Sequence, residues 1–322
     1  MIKVTRRKNS VKCVGLTPRH VYGPVPSRRL GFSLGVDILP YKTCSLNCIY
    51  CQLGPTPRTT ARRGAFFSKK EILKQIKEVL DSGTRVDHIT FSGSGEPTLN
   101  RSIGPLIKAI KKMTPVPVAV LTNATLLSRK PVRESLLGAD VVVPSLDAAT
   151  PELFRKVNRP NPSLKVGKMV EGLRAFRREF KGKIWLEIML VKDINDSRDH
   201  IRKLARAVAA IKPDRVHLNT VVRPPAEKYA RPLTTGALQR IQREIGADAE
   251  IAADFKKTKQ TTAQGSTEEA ILAMVRRRPV TAKEIAASLG KQEAVIRRSL
   301  SSLLRWRRIR QSKHKGRIYF RI

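Results

Sequence analysis

Apolar and polar positions alternate along this chain in two registers. Short β-branched runs, "SLGVDIL" (33–39), "VDHITFS" (86–92), "VPVAVL" (116–121), "DVVVPSL" (140–146), "KIWLEIML" (183–190) and "DRVHLNT" (214–220), read as strands. Between them lie stretches with helical period. In "SKKEILKQIKEVLDSG", Ile72, Ile76 and Leu80 recur every four residues, Ser68 and Glu71 have the spacing of a capping box, and Gly83 marks the end. Strands and helices in such regular alternation predict an α/β fold, a parallel sheet with right-handed crossovers. Six units are too few for a closed eight-stranded barrel, leaving an open partial barrel or a doubly wound sheet.

The pattern changes after about residue 255. Residues 256–266 are polar and without apolar repeat, as expected of a linker between a first domain over 1–255 and a second over 267–322. The second has its own periodicity: Ile271, Met274 and Val275 share one helical face, Ile285 and Leu289 a second, Ile296, Leu300 and Leu303 a third. Gly290 falls in the turn between the second and third helices, and "RIRQSKHKGRIYFRI" reads as a hairpin turning at Lys315-Gly316. Three helices and a hairpin predict a small winged helix-turn-helix domain.

Charge changes the picture of partners. Sixty-four Lys and Arg against 26 Asp and Glu give a formal net charge of +38, a surplus that repels itself unless a polyanion screens it, so a nucleic acid, RNA or DNA, is the expected partner. The start "MIKVTRRKNSVKCVG" is basic without the apolar block of a signal peptide, and no run approaches eighteen apolar residues. The chain is expected in the cytoplasm, away from membranes.

Three of the four cysteines, Cys44, Cys48 and Cys51, lie within eight positions as C-x3-C-x2-C, directly after the first predicted strand. Loops at the C-terminal ends of parallel strands are where function collects. Zinc would need a fourth ligand from elsewhere, a redox dithiol would leave Cys44 idle, and an iron–sulfur cube on three thiolates would keep one iron open. The second strand exits into "GSGEP", where Gly93 and Gly95 permit close backbone approach, Ser94 lies between them and Glu96 supplies a carboxylate. Later strand ends carry Thr122 and Asn123, Ser145 and Asp147, and Asn195.

With these residues in view, the chain resembles the radical S-adenosylmethionine superfamily, whose C-x3-C-x-aromatic-C reads "CSLNCIYC" here and whose Gly-Gly-Glu segment reads "GSGE". The resemblance implies a partial parallel (β/α)6 barrel. It also implies a 4Fe-4S cluster on Cys44, Cys48 and Cys51, with S-adenosylmethionine on the open iron and an external electron donor. Tyr50 and Asn195 would lie near the adenine, Ser145 and Asp147 at the ribose, and Gly93 to Glu96 at the methionyl ammonium, with Thr122 and Asn123 as further cofactor contacts at a strand end. The implied activity is reductive cleavage of the cofactor to a 5′-deoxyadenosyl radical. More narrowly, "YGPVPSRRLGFSLGVDILP", "FSGSGEPTL", "TNATLL", "PSLDA" and "LNTVVRPPAE" resemble a group related to the archaeal wyosine-base synthases. Two departures stand out. Only Cys13 lies in the N-terminal region where the wyosine enzymes hold a second cluster, and Ala124 stands where relatives commonly place Gly. The first bears on wyosine synthesis itself, the second on a turn.

Arg28 and Arg29 before the first strand and Arg223 after the sixth are candidates for the substrate face, since a guanidinium grips phosphate or carboxylate. Arg297, Arg298, Arg305, Arg307, Arg308, Lys313, Lys315 and Arg317 are candidates for nucleic-acid phosphates, with fifteen Lys and Arg against four Glu over 265–322. The leading expectation is a radical enzyme acting on RNA or a nucleic-acid-associated substrate. An iron–sulfur or zinc sensor binding promoters, and a radical enzyme acting on a peptide or small metabolite, are the alternatives.

Overall fold

A computed structural model describes residues 19–27, 29–246, 249–252 and 267–322. Cys13, Arg28 and the expected linker at 256–266 lie outside the described residues. Eight strands, β1 (Val21–Ser27), β2 (Gly31–Val36), β3 (His88–Phe91), β4 (Val118–Thr122), β5 (Val141–Pro144), β6 (Lys183–Leu190), β7 (Arg215–Thr220) and β8 (Ala249–Ile251), form one sheet in sequential order. β1 pairs antiparallel with β2, and every other neighbouring pair is parallel. The crossovers carry α1 (Lys69–Asp81), α2 (Ile103–Met113), α3 (Lys130–Glu134), α4 (Pro151–Leu153), α5 (Val166–Glu179), α6 (Arg198–Ile211) and α7 (Thr235–Ile245).

Six of these strands match the six apolar runs. The two that flank them have physical reasons for being hard to see: β1 carries Pro24 and Pro26, which demote a run unless it lies at an edge, and β8 has only three residues. The helix face of the sheet is built from alternate residues. In β6, Ile184, Leu186, Ile188 and Leu190 are fully buried against the helices with Leu34, Val36, Phe91, Val118 and Val142. Each such side chain contributes about 1.5–3 kcal/mol. Ser68 accepts from the backbone N–H of Glu71 at the start of α1, but the expected box is half made, because Glu71 accepts from Gln75 Nε2 at 3.0 Å instead.

The opposite face is closed low down by Leu30, Ala119, Val141 and Val143 with Leu121 and Trp185. Arg29 enters beside them and pairs with Glu187 at 2.5 Å, which also accepts from Asn219 Nδ2 at 2.9 Å. The β1–β2 turn lies at the N-terminal end of β2, whereas the cysteine loop leaves its C-terminal end. Arg29 starts from that turn, and its half-buried guanidinium is taken by Glu187, whose backbone bridges Ser145 at the β5 exit.

Residues 267–322 form α8 (Thr267–Val275), α9 (Ala282–Leu289), α10 (Glu293–Arg305) and a hairpin of β9 (Arg310–His314) and β10 (Arg317–Arg321). The three anticipated helical faces meet in one core, with Ile271, Ile285 and Ile296 fully buried. Gly290 ends α9 at φ 63°, and Lys315 and Gly316 turn the hairpin at φ 47° and 73°, the signature of a type I′ turn.

This unit is joined to the sheet at two places. Tyr22 and Val25 of β1 belong to its core. The Tyr22 ring occupies the space over Gly35, where a Cβ would come within 2.1 Å, and its hydroxyl meets Ser92 Oγ at 2.8 Å. Arg277 lies 4.8 Å over that ring and pairs with Asp37 at 3.1 Å, their side chains 9% and 5% exposed. Beyond β7, Arg223 pairs with Glu284 of α9 at 2.5 Å and donates to the Pro279 carbonyl, while Tyr319 donates to the Val222 carbonyl at 3.2 Å. Arg223 thus braces the C-terminal unit from the β7 exit. Both joints lie at the C-terminal ends of parallel strands, one at the β2 exit and the other at the β7 exit.

Candidate functional site

The three cysteines fall in the long connection between β2 and α1, whose backbone is fastened to the β3 exit and to the turn at Val157 and Asn158. Lys42, buried and at φ 58°, donates its N–H to the Ser94 carbonyl at 2.7 Å, and Glu96 N–H returns to the Thr43 carbonyl at 3.0 Å. Asn47 and Ile49 N–H reach the carbonyls of Asn158 and Val157, both at 3.0 Å. The glycines of "GSGE" are required by this fit: a Cβ on Gly95 would lie 1.8 Å from the Thr43 carbonyl oxygen, and one on Gly93 would lie 2.6 Å from the Asp37 carboxyl.

Cys44, Cys48 and Cys51 are half-buried free thiols. Each sulfur has a side-chain N–H neighbour: Asn123 Nδ2 at 3.6 Å from Cys44, Asn158 Nδ2 at 3.4 Å from Cys48, Lys42 Nζ at 3.2 Å from Cys51. Burial pushes the Cys44 thiol up to about 12. Burial, and after it the Asp147 charge, pushes Cys48 up as well. Desolvated thiols of this kind ionise only when a metal meets them. Among the described residues no group of three or more His, Cys, Asp or Glu is placed to hold a single metal ion. Three thiols, each with an N–H donor of the sort that tunes an iron–sulfur centre, fit a three-thiolate cluster.

Around them the strand ends interlock. Glu96 accepts from Thr98 N–H (3.0 Å), Thr98 Oγ (2.6 Å), Thr122 Oγ (2.6 Å) and Asn123 N–H (2.6 Å). Its carboxyl is raised by burial, which outweighs those hydrogen bonds. It is buried and ties β3 to β4. Asp147 accepts from the Tyr50 hydroxyl, from Asn158 Nδ2 at 2.7 Å and from Met189 N–H at 2.9 Å, and burial raises it to about 6. Asn195 is fully buried, donating to the carbonyls of Asp147 (2.9 Å) and Met189 (2.8 Å) and accepting from Val191 N–H (2.7 Å). Ser145 is half-buried, and its hydroxyl has no hydrogen-bond partner among the described residues. Ser94 donates to Asp37 at 2.5 Å, the carboxylate that also holds Arg277.

The structure thus gathers Tyr50, the 93–96 turn, Thr122, Asn123 and Asp147 around the cysteines, and reaches Asn195 through Asp147. Nothing in the sequence marked Lys42 or Asn158. Asn158 ends a π-helical turn over Phe154–Asn158, closed by Arg159 at φ 45°, and its Oδ1 is buried without a partner among the described residues. Such turns recur at functional sites. In the C-terminal unit, Arg297 pairs with Glu293 at 2.5 Å, and Arg298, Arg305, Arg307, Arg308, Lys313, Lys315 and Arg317 are exposed. Trp306, 73% exposed amid three of these arginines, is a further residue of note.

A family model described as the Radical SAM superfamily matches residues 38–206. A protein of Brachyspira hyodysenteriae called GTPase Obg is 40% identical over 305 residues, covering 94% of this chain; the chain spans only 45% of that relative's length. A UPF0026 protein of Synechocystis is 38% identical over 205 residues, covering 63% of this chain and 76% of its own. Among solved structures, TYW1 with a lysine-pyruvate adduct bound superposes with a TM-score of 0.52 at 18% identity, over 70% of this chain and 75% of that one. At that identity the likeness speaks for the fold.

Proposed function

This chain belongs to the radical SAM superfamily and is an enzyme of that kind, working with a 4Fe-4S cluster and S-adenosylmethionine; on that premise we propose that Cys44, Cys48 and Cys51 hold the cluster and that its substrate is RNA or another nucleic-acid-associated molecule. Family membership sets the promoter-binding sensor aside. The observation that carries the residue assignment is the set of three free thiols, each beside its own N–H donor, locked to the "GSGE" turn.

Once bound, the cluster and its cofactor supply reductive cleavage of a sulfonium to methionine and a 5′-deoxyadenosyl radical that takes a hydrogen atom from the substrate. This chain's own residues do the positioning. Lys42, Asn123 and Asn158 donate to the sulfurs and fix their directions. The 93–96 turn offers its backbone to the amino-acid end of the cofactor, with Glu96 holding that turn against Thr122 and Asn123. Ser145 offers a free hydroxyl at the ribose, and Asp147 and Asn195 orient Tyr50 and the β5 and β6 exits at the adenine side. Ile49, Val191, Val221 and Ala230 form an apolar patch that keeps water from this rim.

The nucleic-acid part rests on the +38 charge and on the exposed cations around Trp306. We read the C-terminal unit as a winged helix-turn-helix that grips phosphates through Arg298, Arg305, Arg307, Arg308, Lys313, Lys315 and Arg317. A base stacked on Trp306 would add to that grip. The test is anaerobic reconstitution with iron and sulfide, then dithionite and S-adenosylmethionine. 5′-Deoxyadenosine should form and should increase with total cellular RNA. A fully loaded protein that forms none defeats the catalytic assignment, and formation indifferent to RNA and DNA defeats the substrate assignment alone.

A further inference from the structure

Past Cys51 the chain passes outside the strand exits as a tightly held segment. Thr60 N–H donates to the Cys44 carbonyl at 2.9 Å, Gly64 N–H to Leu99 O at 2.9 Å, and Arg101 N–H returns to Gly64 O at 2.8 Å. Asn161 fastens the segment from the other side, donating through Nδ2 to Thr59 O at 3.0 Å and through its N–H to Ser45 O at 2.9 Å. Against this segment opens a cavity of about 970 Å³ whose lining includes Arg62, Arg63, Arg101 and Arg129 and no acidic residue.

These four arginines differ from the ion-paired arginines of this molecule. Arg29, Arg133, Arg177 and Arg277 each hold a carboxylate. Arg63 instead donates to the carbonyls of Thr98 (2.8 Å) and Asn100 (3.3 Å), and Arg129 to Ala61 O (2.8 Å). Carbonyls fix a guanidinium without neutralising it. The charges accordingly act on one another: Arg63 is held below its ordinary value by burial and then by Arg101 and Arg129. Arg62 and Arg101 stand exposed at the rim. Two braced guanidiniums beside two exposed ones, with no carboxylate in the lining, are suited to groups that carry charge and several acceptor oxygens together, as phosphate does.

We propose that this arginine basin binds backbone phosphates of the nucleic-acid substrate, one loop away from the cysteines, so that the adjoining nucleoside is presented to the strand-end site. The proposal rests on the nucleic-acid reading above and adds a place for the polymer distinct from the C-terminal unit.

The experiment uses the full reconstituted chain and a fluorescent single-stranded RNA oligonucleotide, with affinity measured across a salt series. Arg62→Ala/Arg101→Ala is compared with Lys203→Ala/Arg206→Ala, which removes the same charge from the exposed face of α6. Two lost phosphate contacts should lower the slope of log affinity against log salt by about 1.4, at ~0.7 per contact on a single strand. The α6 pair should leave that slope at the wild-type value, and Arg62→Lys/Arg101→Lys should restore most of it. Unchanged thermal unfolding of the alanine pair shows that the loss is one of binding. If wild type binds RNA and the basin variant matches it in affinity and slope, the basin proposal is wrong while the nucleic-acid reading stands. If inorganic pyrophosphate binds in a basin-dependent way but RNA does not, the ligand is a small phosphate compound and the proposal is again overturned. If the wild-type chain binds no RNA at low salt, the nucleic-acid reading itself falls and takes the basin proposal with it.

Discussion

Replacing Arg277 by methionine keeps an unbranched stem over the Tyr22 ring and removes the guanidinium that faces Asp37. The pair is 3.1 Å apart and almost wholly buried, and deleting one partner of such a pair costs about 3–5 kcal/mol because the other charge is stranded. Asp37 would retain the Ser94 hydroxyl and the Leu39 N–H as donors, which favours the lower end. The cation–π contact with Tyr22 also goes, worth roughly 1 kcal/mol. The expected loss is therefore about 3 kcal/mol. Asp37→Asn alone should destabilise as well, leaving Arg277 with only the carbonyls of Ala273 and Arg19. The double variant removes both charges and should be better than the sum of the singles by about 2 kcal/mol. Urea unfolding is the assay, and the two tryptophans divide the signal conveniently, Trp185 inside the sheet and Trp306 on the C-terminal unit. Coincident transitions in wild type would show that the unit unfolds with the barrel. A single Arg277→Met variant within about 0.5 kcal/mol of wild type, or singles that simply add, would refute the claim that this pair joins the two parts.

Three further outcomes follow from the geometry. Gly95→Ala should sharply lower iron and sulfide content after reconstitution although it touches no thiol, since the new Cβ would lie 1.8 Å from Thr43 O and displace the cysteine loop; iron analysis reads it. Ala124→Gly should stabilise the chain by up to about 1 kcal/mol, because Ala124 sits at φ 62° where a Cβ is unfavourable; the urea midpoint reads it. His217 is buried, and burial, then the Arg29 charge, holds its imidazole down at about 4. The unfolded chain takes up that proton near 6.5 and the folded chain only near 4, so stability of the metal-free protein should fall as pH drops through this window, by up to roughly 3 kcal/mol. His217→Gln should flatten the curve.

The outline of the barrel was legible because burial on two faces leaves apolar runs that need no context: β2 to β7 all announce themselves. β1 did not, since its prolines argue against a strand and only its place beside β2 and beneath the C-terminal core makes it one. The cysteines and the glycines were legible from spacing, and the strand-end polar residues from position. Their partners were not. Glu96 and Asn195 were expected to look toward a ligand; that each also holds neighbouring strands together could not be read, because a buried carboxylate or amide takes whatever donors the fold brings within reach. Asn158 was invisible because a π turn has no sequence signature. The carboxylate partners of Arg29 and Arg223, Glu187 and Glu284, were not legible, because distance along the chain does not tell which neighbouring element a long side chain will meet.

The acid at position 37 belongs by sequence to the barrel, yet its counter-ion comes from 240 residues further on. In any lineage that dispenses with the C-terminal unit, that carboxylate and the aromatic at position 22 lose their cover in a single event. The two positions should then change in concert, the acid toward an uncharged residue and the tyrosine toward something smaller or more polar. Aligned sequences of longer and shorter kin would carry that correlated change as the historical trace of the joint.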